Sequence, residues 1–514
     1  MSLSRRSFLG GLAGTAVLMG ASGCGSSRGQ TAELLASATA LPTRFVTPFS
    51  VPPVKEPVRR SAAGTAYEIV QRPARVEILP GLTTEIMGYD GSFPGPTIRA
   101  RRGERVTITH RNTLPVPTVV HLHGGHTPAD SDGYPTDLVL PSSGRFPHGG
   151  PMGHGGATSR GARDYVYPHD QAAATLWYHD HRMDFTGPQV WRGLAGFHLV
   201  TDEVEAALPL PDGDRDVPLM IMDRAFDADG ALRYPSLDPA LLGRPGVGPA
   251  YASGVLGDVI LVNGRPWPVM EVDAVRYRFR ILNASNARRY RLELDPPPTE
   301  GPAFTQIGSD GGLLAAPIEQ TAIQVAAAER FDVIVDFGCY PVGSEVTLLN
   351  TWGVGSADAV MRFQVVRAAP DESSVPATLA VVAPLEPGPD ARVRDWRFVQ
   401  GTGSRQGQWT INGQVFDPLR MDAQPRLGEV EIWRFYADLH HPVHVHLSPF
   451  QVLHRGTGGP GDYDHGWKDT VDLRPAEMVE VAVRFEDYAG AFMLHCHNLE
   501  HEDMMMMSAF ETTR

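Results

Sequence analysis

Four short stretches carry His-x-His pairs: His121 and His123 in "HLHGGH", His179 and His181 in "WYHDH", His444 and His446 in "HHPVHVH", His495 and His497 in "HCHNLEH". On a strand, residues i and i+2 face the same side, so each pair sends two imidazoles one way. Eight imidazoles in one place suit a cluster of more than one metal ion. A single pair is weak evidence, since zinc hydrolases and plain surface strands carry it too. Four pairs, in one layout near both ends of the chain, are not an accident of composition. Cys496 lies between His495 and His497 and so faces away from their cluster. His501, on the same segment, and His441, in the other cluster of that region, are the imidazoles it can share a second site with. A thiolate, two imidazoles and a weak axial methionine are the donors of a blue-copper electron-transfer centre. Zinc takes the same donors, but a zinc site of one cysteine and two histidines has no need of an adjoining eight-histidine cluster. Met506 is the axial candidate, and the rest of the run Met504–Met507 is expected to pack the last strand. Because Cys496 is bonded through the backbone to His495 and His497, a site taking electrons singly adjoins one able to hold several. Four-electron reduction of O2 to water needs that arrangement.

Such residues must be presented by strands, and the chain repeats one strand-forming unit three times. The copies are "YDGSFPGPTIRARRGERVTITHRNT" (89–113), "LVNGRPWPVMEVDAVRYRFRILNAS" (261–285) and "TINGQVFDPLRMDAQPRLGEVEIWRFYA" (410–437). Each opens with Asp-Gly or Asn-Gly, which supply the positive φ of a tight hairpin turn. Tyr277, Phe279 and Ile281 alternate with Arg276, Arg278 and Arg280, which predicts a half-buried strand; Val479, Val481, Val483 and Phe485 alternate likewise. Three tandem β-sandwiches follow, in an all-β chain. Every histidine lies either between His110 and His198 or between His440 and His501. The outer sandwiches therefore hold the metal and the middle one is a spacer. Segments 201–218 and 368–390, rich in Pro and acid, read as linkers. The expected limits are 46–202, 203–368 and 369–514, after a signal peptide (1–23) and a flexible tether (24–45).

The composition is that of a soluble globular protein, 42% hydrophobic and 20% charged, with Gly 54 and Pro 44 favouring turns and short strands. A net charge of −14 argues against nucleic acid as partner. Three cysteines, Cys24, Cys339 and Cys496, give no disulfide framework; Cys339 is expected to pack as a free thiol. Arg5 and Arg6 precede an uncharged stretch, Ser7–Gly23, too short for a membrane span, the pattern of a twin-arginine export signal. "ASGC", ending at Cys24, resembles a lipoprotein box; the alternative is an ordinary cleavage site. The expected location is outside the cytoplasm, with a lipid anchor at Cys24 as the only membrane attachment.

The motifs "HLHGGHTPADSDGYP", "LWYHDH", "FTQIGSDGGLL", "AERFDVIVDF", "HPVHVHL", "GWKDTV" and "HCHNLEHED" resemble those of the multicopper oxidases, in particular the three-domain bacterial laccase and bilirubin oxidase branch. The resemblance runs from about residue 46 to the end. It implies cupredoxin-like Greek-key sandwiches and four copper ions. Type 1 copper would take His441, Cys496, His501 and Met506; type 2, His121 and His444. One type 3 copper would take His123, His179 and His497, and its partner His181, His446 and His495. Asp132 and Glu502 match acids that deliver protons to oxygen, against the plainer reading of structural carboxylates. The implied activity is oxidation of phenols, aromatic amines or similar reductants by O2, in a monomer. Segment 143–164 departs from the pattern as an inserted loop. Its His148, Met152 and His154 are either an accessory copper site or part of a plain Gly-rich loop. The first case would favour a cuprous oxidase serving copper tolerance. A non-enzymatic scaffold protein is the third alternative, opposed by the complete ligand set.

Overall fold

The computed structural model describes residues 31–143 and 156–514. The twin-arginine segment, Cys24, and His148, Met152 and His154 lie outside the described residues. Strands dominate, the few helices are short, and among the described residues no helix is long and apolar enough to cross a membrane.

The three repeat turns have one conformation. Asp90, Asn263 and Asn412 sit at φ 53°, 50° and 53°, each followed by a glycine at positive φ. Each side chain makes the same bond, accepting from the N–H of Val70 (2.8 Å), Met220 (2.8 Å) and Arg397 (2.9 Å) respectively. Asp and Asn tolerate the left-handed region because their short polar side chains bond the local backbone. Around each turn a strand that precedes the repeat pairs in parallel with the strand that ends it. Thr65–Gln71 lies beside Val106–Asn112, Asp216–Ile221 beside Arg278–Asn283, and Val393–Phe398 beside Ile432–Ala437. Three β-sandwiches result, each with its own apolar core: Tyr67, Ile108 and Leu176 in the first, Ile281, Val333 and Phe363 in the second, Trp433, Val481 and Phe510 in the third.

The outer sandwiches are built alike where it matters. In the first, strands run Gly95–Arg101, Ala195–Thr201, Ala174–Asp180, Val120–His123 across one sheet. In the third, they run Met421–Ala423, Met507–Thr512, Gly490–Cys496, His441–Val445, Thr470–Leu473. The two strands bearing histidine pairs are neighbours in both.

Two expectations need correction. The strand Arg276–Asn283 is not half-buried, because its arginine face is covered as well. Arg278 donates to Glu205 (2.6 Å) and Asp332 (2.9 Å), and Arg280 to Asp216 (2.7 Å). The guanidinium fork matches carboxylates, so the charges are buried as pairs instead of being left in water. Glu205 belongs to the short helix Glu203–Ala206, inside a segment expected to be a linker. Nor are residues 31–45 a free tether. Glu33–Leu35 pairs in parallel with Val255–Gly257, and the N–H of Ser37 donates to Asp258 (2.7 Å). An open strand edge and an apolar recess at Trp191, Ala225 and Val247 receive Leu35. Segment 368–390 has no regular strand, yet Leu379 is buried against the middle sandwich beside Leu314 and Ile334.

Candidate metal centre

The strand register brings the histidine pairs level: His121 stands opposite His179, and His444 opposite His495. The first and third sandwiches meet on these faces, and all eight imidazoles are buried. Donor atoms converge within 4.8 Å in the triads His123, His179, His497 and His181, His446, His495, and also in His121, His123, His444. The Nε2 atoms of His121 and His444 are 3.4 Å apart, those of His181 and His495 3.3 Å.

Several outward nitrogens are tied to carbonyl oxygens, which fixes their tautomers. Nδ1 of His121 donates to the Asp132 carbonyl (2.6 Å), that of His179 to the Asp180 carbonyl (2.7 Å), and that of His444 to the Asp469 carbonyl (2.8 Å). Nδ1 of His446 is hydrogen-bonded to Asp132 Oδ2 (2.7 Å). A carbonyl only accepts, so Nδ1 of His121, His179 and His444 carries the hydrogen and the Nε2 of each offers a bare lone pair. His123 is turned the other way: its Nε2 meets Asp469 Oδ1 and Thr470 Oγ1, both at 3.1 Å. Its Nδ1, like Nε2 of His179 and both ring nitrogens of His497, is buried with no hydrogen-bond partner in the protein. Burial first, then the neighbouring imidazoles, holds His121, His179, His446, His495 and His497 well below the ordinary histidine pKa; burial does the same for His123. Neutral imidazoles with inward lone pairs and oriented outer N–H groups fit metal cations and little else.

On the other face of the same strand, Cys496 Sγ lies 3.5 Å from His441 Nδ1 and 3.7 Å from His501 Nδ1, with the two Nδ1 atoms 3.2 Å apart. The helix Leu499–Asp503 turns the chain back, and Met505 at φ 80° completes the reversal. The buried Met506 then lies across from Cys496 and accepts its N–H (3.1 Å). Burial pushes the Cys496 thiol well up, so the thiolate needs a cation beside it. Trp409 stacks on His501 at 3.7 Å, its indole N–H donating to Ala252. The outer nitrogen of His441 meets Asp438 Oδ1 at 2.9 Å, and that acid is partly exposed.

Asp132 and Glu502 flank the imidazole cluster, both buried. Beyond His446, Asp132 reaches His121, with Oδ1 3.7 Å from Nδ1. Glu502 accepts from Thr186 Oγ1 (2.6 Å) and lies 3.4 Å from His181 Nδ1 and 3.2 Å from His495 Nδ1. Burial pushes both carboxyls up, and each keeps one oxygen without a hydrogen bond.

His126, without a ligand position by sequence, bonds Asp487 (2.8 Å) and lies outside the donor groups; His440 and His454 lie outside them too. Cys339 is a partly buried free thiol after the strand Arg330–Asp336. Sequence reasoning gave no role to Asp438, Trp409, Asp469 or Arg330. The last two lie in "GWKDTV" and "AERFDVIVDF", quoted motifs without a metal donor, and that unexplained specificity was the available signal.

Two multicopper oxidase family models match residues 391–514 and 71–145. A laccase from Bacillus stratosphericus is 38% identical, covering 90% of this chain and 98% of the relative. A bilirubin oxidase from Albifimbria verrucaria is 35% identical, covering 91% and 81%. Among solved structures, a multi-copper oxidase from Pediococcus acidilactici superposes with a TM-score of 0.80 at 32% identity, covering 94% of this chain and 93% of that one. With these relatives and a donor set suited to copper, the chain belongs to the multicopper oxidase family and is a laccase-like copper oxidoreductase with O2 as acceptor.

Proposed function

We propose that the enzyme uses four copper ions: one type 1 ion held by His441, Cys496, His501 and Met506, a type 2 ion by His121 and His444, and a type 3 pair by His123, His179, His497 and His181, His446, His495. Copper supplies one-electron oxidation at the sulfur site and, at the imidazole cluster, the four electrons that take O2 to water. The observation that carries this reading is the orientation of the imidazoles. The outer nitrogens of His121, His179, His444 and His446 are held by oxygen while their other nitrogens turn inward, and the end of the strand Gly490–Cys496 places Cys496 on one face with His495 and the following His497 on the other. Cys496 is thus joined covalently to one ligand of each type 3 triad. His441 and Asp438 form the end of the site nearest solvent, where a phenol, aromatic amine or metal-ion donor gives up its electron. Asp132 bonds the outer nitrogen of His446 and Glu502 lies beside those of His181 and His495; burial pushes both carboxyls up, and each keeps a free oxygen from which a proton can pass to reduced oxygen. We take 46–202, 203–368 and 369–514 as the domain limits and the protein as a monomer.

Cys496→Ser is expected to abolish the blue absorption and turnover while leaving the fold intact; wild-type oxidation of phenols by this variant would refute the electron path. His444→Ala is expected to keep the blue absorption and stop O2 uptake; unchanged uptake would refute the cluster assignment. Steady-state rates on a phenol, an aromatic amine, bilirubin and Cu(I) would rank the donors. We further infer twin-arginine export, from Arg5 and Arg6, and lipid attachment at Cys24. Cys24→Ser is then expected to release the protein from the membrane fraction; unaltered partition would remove the anchor.

A further inference from the structure

The middle sandwich has no histidine, but it reaches the imidazole cluster through one buried side chain. Arg330 begins the strand Arg330–Asp336 and is fully buried. Its guanidinium contacts all three sandwiches. Nε donates to the Thr175 carbonyl of the first (2.9 Å), and Nη1 to the Ala328 carbonyl of the second (3.0 Å). Nη1 also donates to Asp469 Oδ1 of the third (2.7 Å), while Nη2 binds Asp469 Oδ2 and the Asp310 carbonyl (3.1 Å). The fork is therefore bidentate on Asp469, the geometry that fixes a carboxylate in plane and position. Asp469 in turn touches two cluster histidines from opposite sandwiches: Oδ1 faces His123 Nε2, and its carbonyl accepts from His444 Nδ1. The backbone is held as well, the N–H groups of Asp469 and Thr470 both pointing to Asp310 Oδ2 at 3.3 Å.

Gly124, next to His123, provides a second, independent observation. It sits at φ +83°, and a Cβ there would come within 2.6 Å of Arg330 Nη2 and 2.7 Å of Asp469 Oδ2. The chain after His123 is thus shaped to let this ion pair lie against it.

Resting on the copper assignment above, we propose that Arg330 is a positioning residue of the cluster: it clamps Asp469 so that one residue sets the ring orientation of His123 and His444, turning His123 to offer Nδ1 where its neighbours offer Nε2. The middle sandwich is then a third wall of the metal site and not a spacer.

The test uses copper-loaded full-length enzyme and the variants Arg330→Met, Arg330→Lys and Asp469→Asn. An asparagine amide must set its NH2 against either the guanidinium or His123 Nε2–H, so it breaks the arrangement at nearly constant size. The readouts are copper per chain, blue absorption, and the paramagnetic resonance of the non-blue copper. Arg330→Met and Asp469→Asn are expected to keep the blue band, to alter the non-blue signal, and to lose copper affinity or O2 turnover by roughly 10- to 100-fold. Arg330→Lys, holding one carboxylate oxygen, is expected to fall between these and wild type. Variants with wild-type copper content, signal and turnover would overturn the proposal. So would loss of blue and non-blue copper together, which would make Arg330 a general staple between sandwiches. If the wild-type protein itself takes up copper without a blue band, the underlying copper assignment fails, separately from this inference.

Discussion

An imidazole's role here is set by what faces each of its two nitrogens. Most of the cluster histidines, His121, His123, His179, His444 and His446 among them, have an oxygen partner outside and turn the other nitrogen inward. His110 is the contrasting case: buried in the first sandwich, edge-on to Tyr89 and Tyr165, its Nδ1 unbound, and part of no donor triad among the described residues. Burial pulls its pKa down to about 3. The unfolded chain protonates this residue near pH 6.5 while the fold resists, so its stabilising effect is complete above that pH and fades as pH falls toward 3. Relative to wild type, His110→Phe is expected to gain about 3 kcal/mol of unfolding free energy between pH 7 and pH 4. Denaturant curves at the two pH values measure this difference with any constant packing cost removed. An identical pH slope in both proteins would mean that His110 is protonated in the fold.

At the scale of elements, the three equivalent turns differ in surroundings. Both amides donate to a carbonyl of the paired strand, Asn412 Nδ2 to Asp395 (2.9 Å) and Asn263 Nδ2 to Pro218 (2.9 Å), but Asn412 is exposed, whereas Asn263 is buried and donates also to the Ser50 carbonyl (3.1 Å). Asn412→Ala is expected to cost about 1–2 kcal/mol, from the left-handed φ and two lost, solvent-exposed hydrogen bonds. Asn263→Ala is expected to cost at least about 1 kcal/mol more, since it strands buried carbonyls. Urea midpoints compare the two; equal losses would show that backbone strain alone sets the cost. The turns and their strands were legible in sequence because Asp-Gly and Asn-Gly report local backbone geometry. The arginine strand was misread because alternation reports polarity, and polarity implies water only when no acid from another segment arrives to cover it.

At the scale of the molecule, buried ion pairs and hydrogen bonds join the sandwiches. Glu205, just after the first sandwich, neutralises Arg278 and Arg280 of the second, and Arg280 reaches Thr175 Oγ1 of the first (3.4 Å). Glu500, on the helix beside Cys496, accepts from Tyr234 (2.8 Å), Asn286 (2.8 Å) and the Val255 N–H (3.0 Å) of the second. Asp503 accepts the Thr186 and Gly187 N–H groups of the first, both at 2.8 Å. Removing one member of such a buried set strands the others. Glu205→Ala is therefore expected to cost about 3–5 kcal/mol in denaturant unfolding. A loss under about 1 kcal/mol would show that Asp216 and Asp332 suffice for both arginines.

Sequence alone determined the strand class, the threefold repeat and the two faces of "HCH", because turn chemistry and a period of two are local properties of a chain. It also singled out the histidines and the cysteine that the fold gathers into donor groups, since soft side chains at i and i+2 have few other uses in such numbers. Tertiary structure decided which imidazole nitrogen turns inward, that the N-terminal segment joins the middle sandwich, and that Arg330 stands behind Asp469. Each of these depends on a partner supplied by a distant part of the chain, and spacing along one strand carries no record of what packs against it.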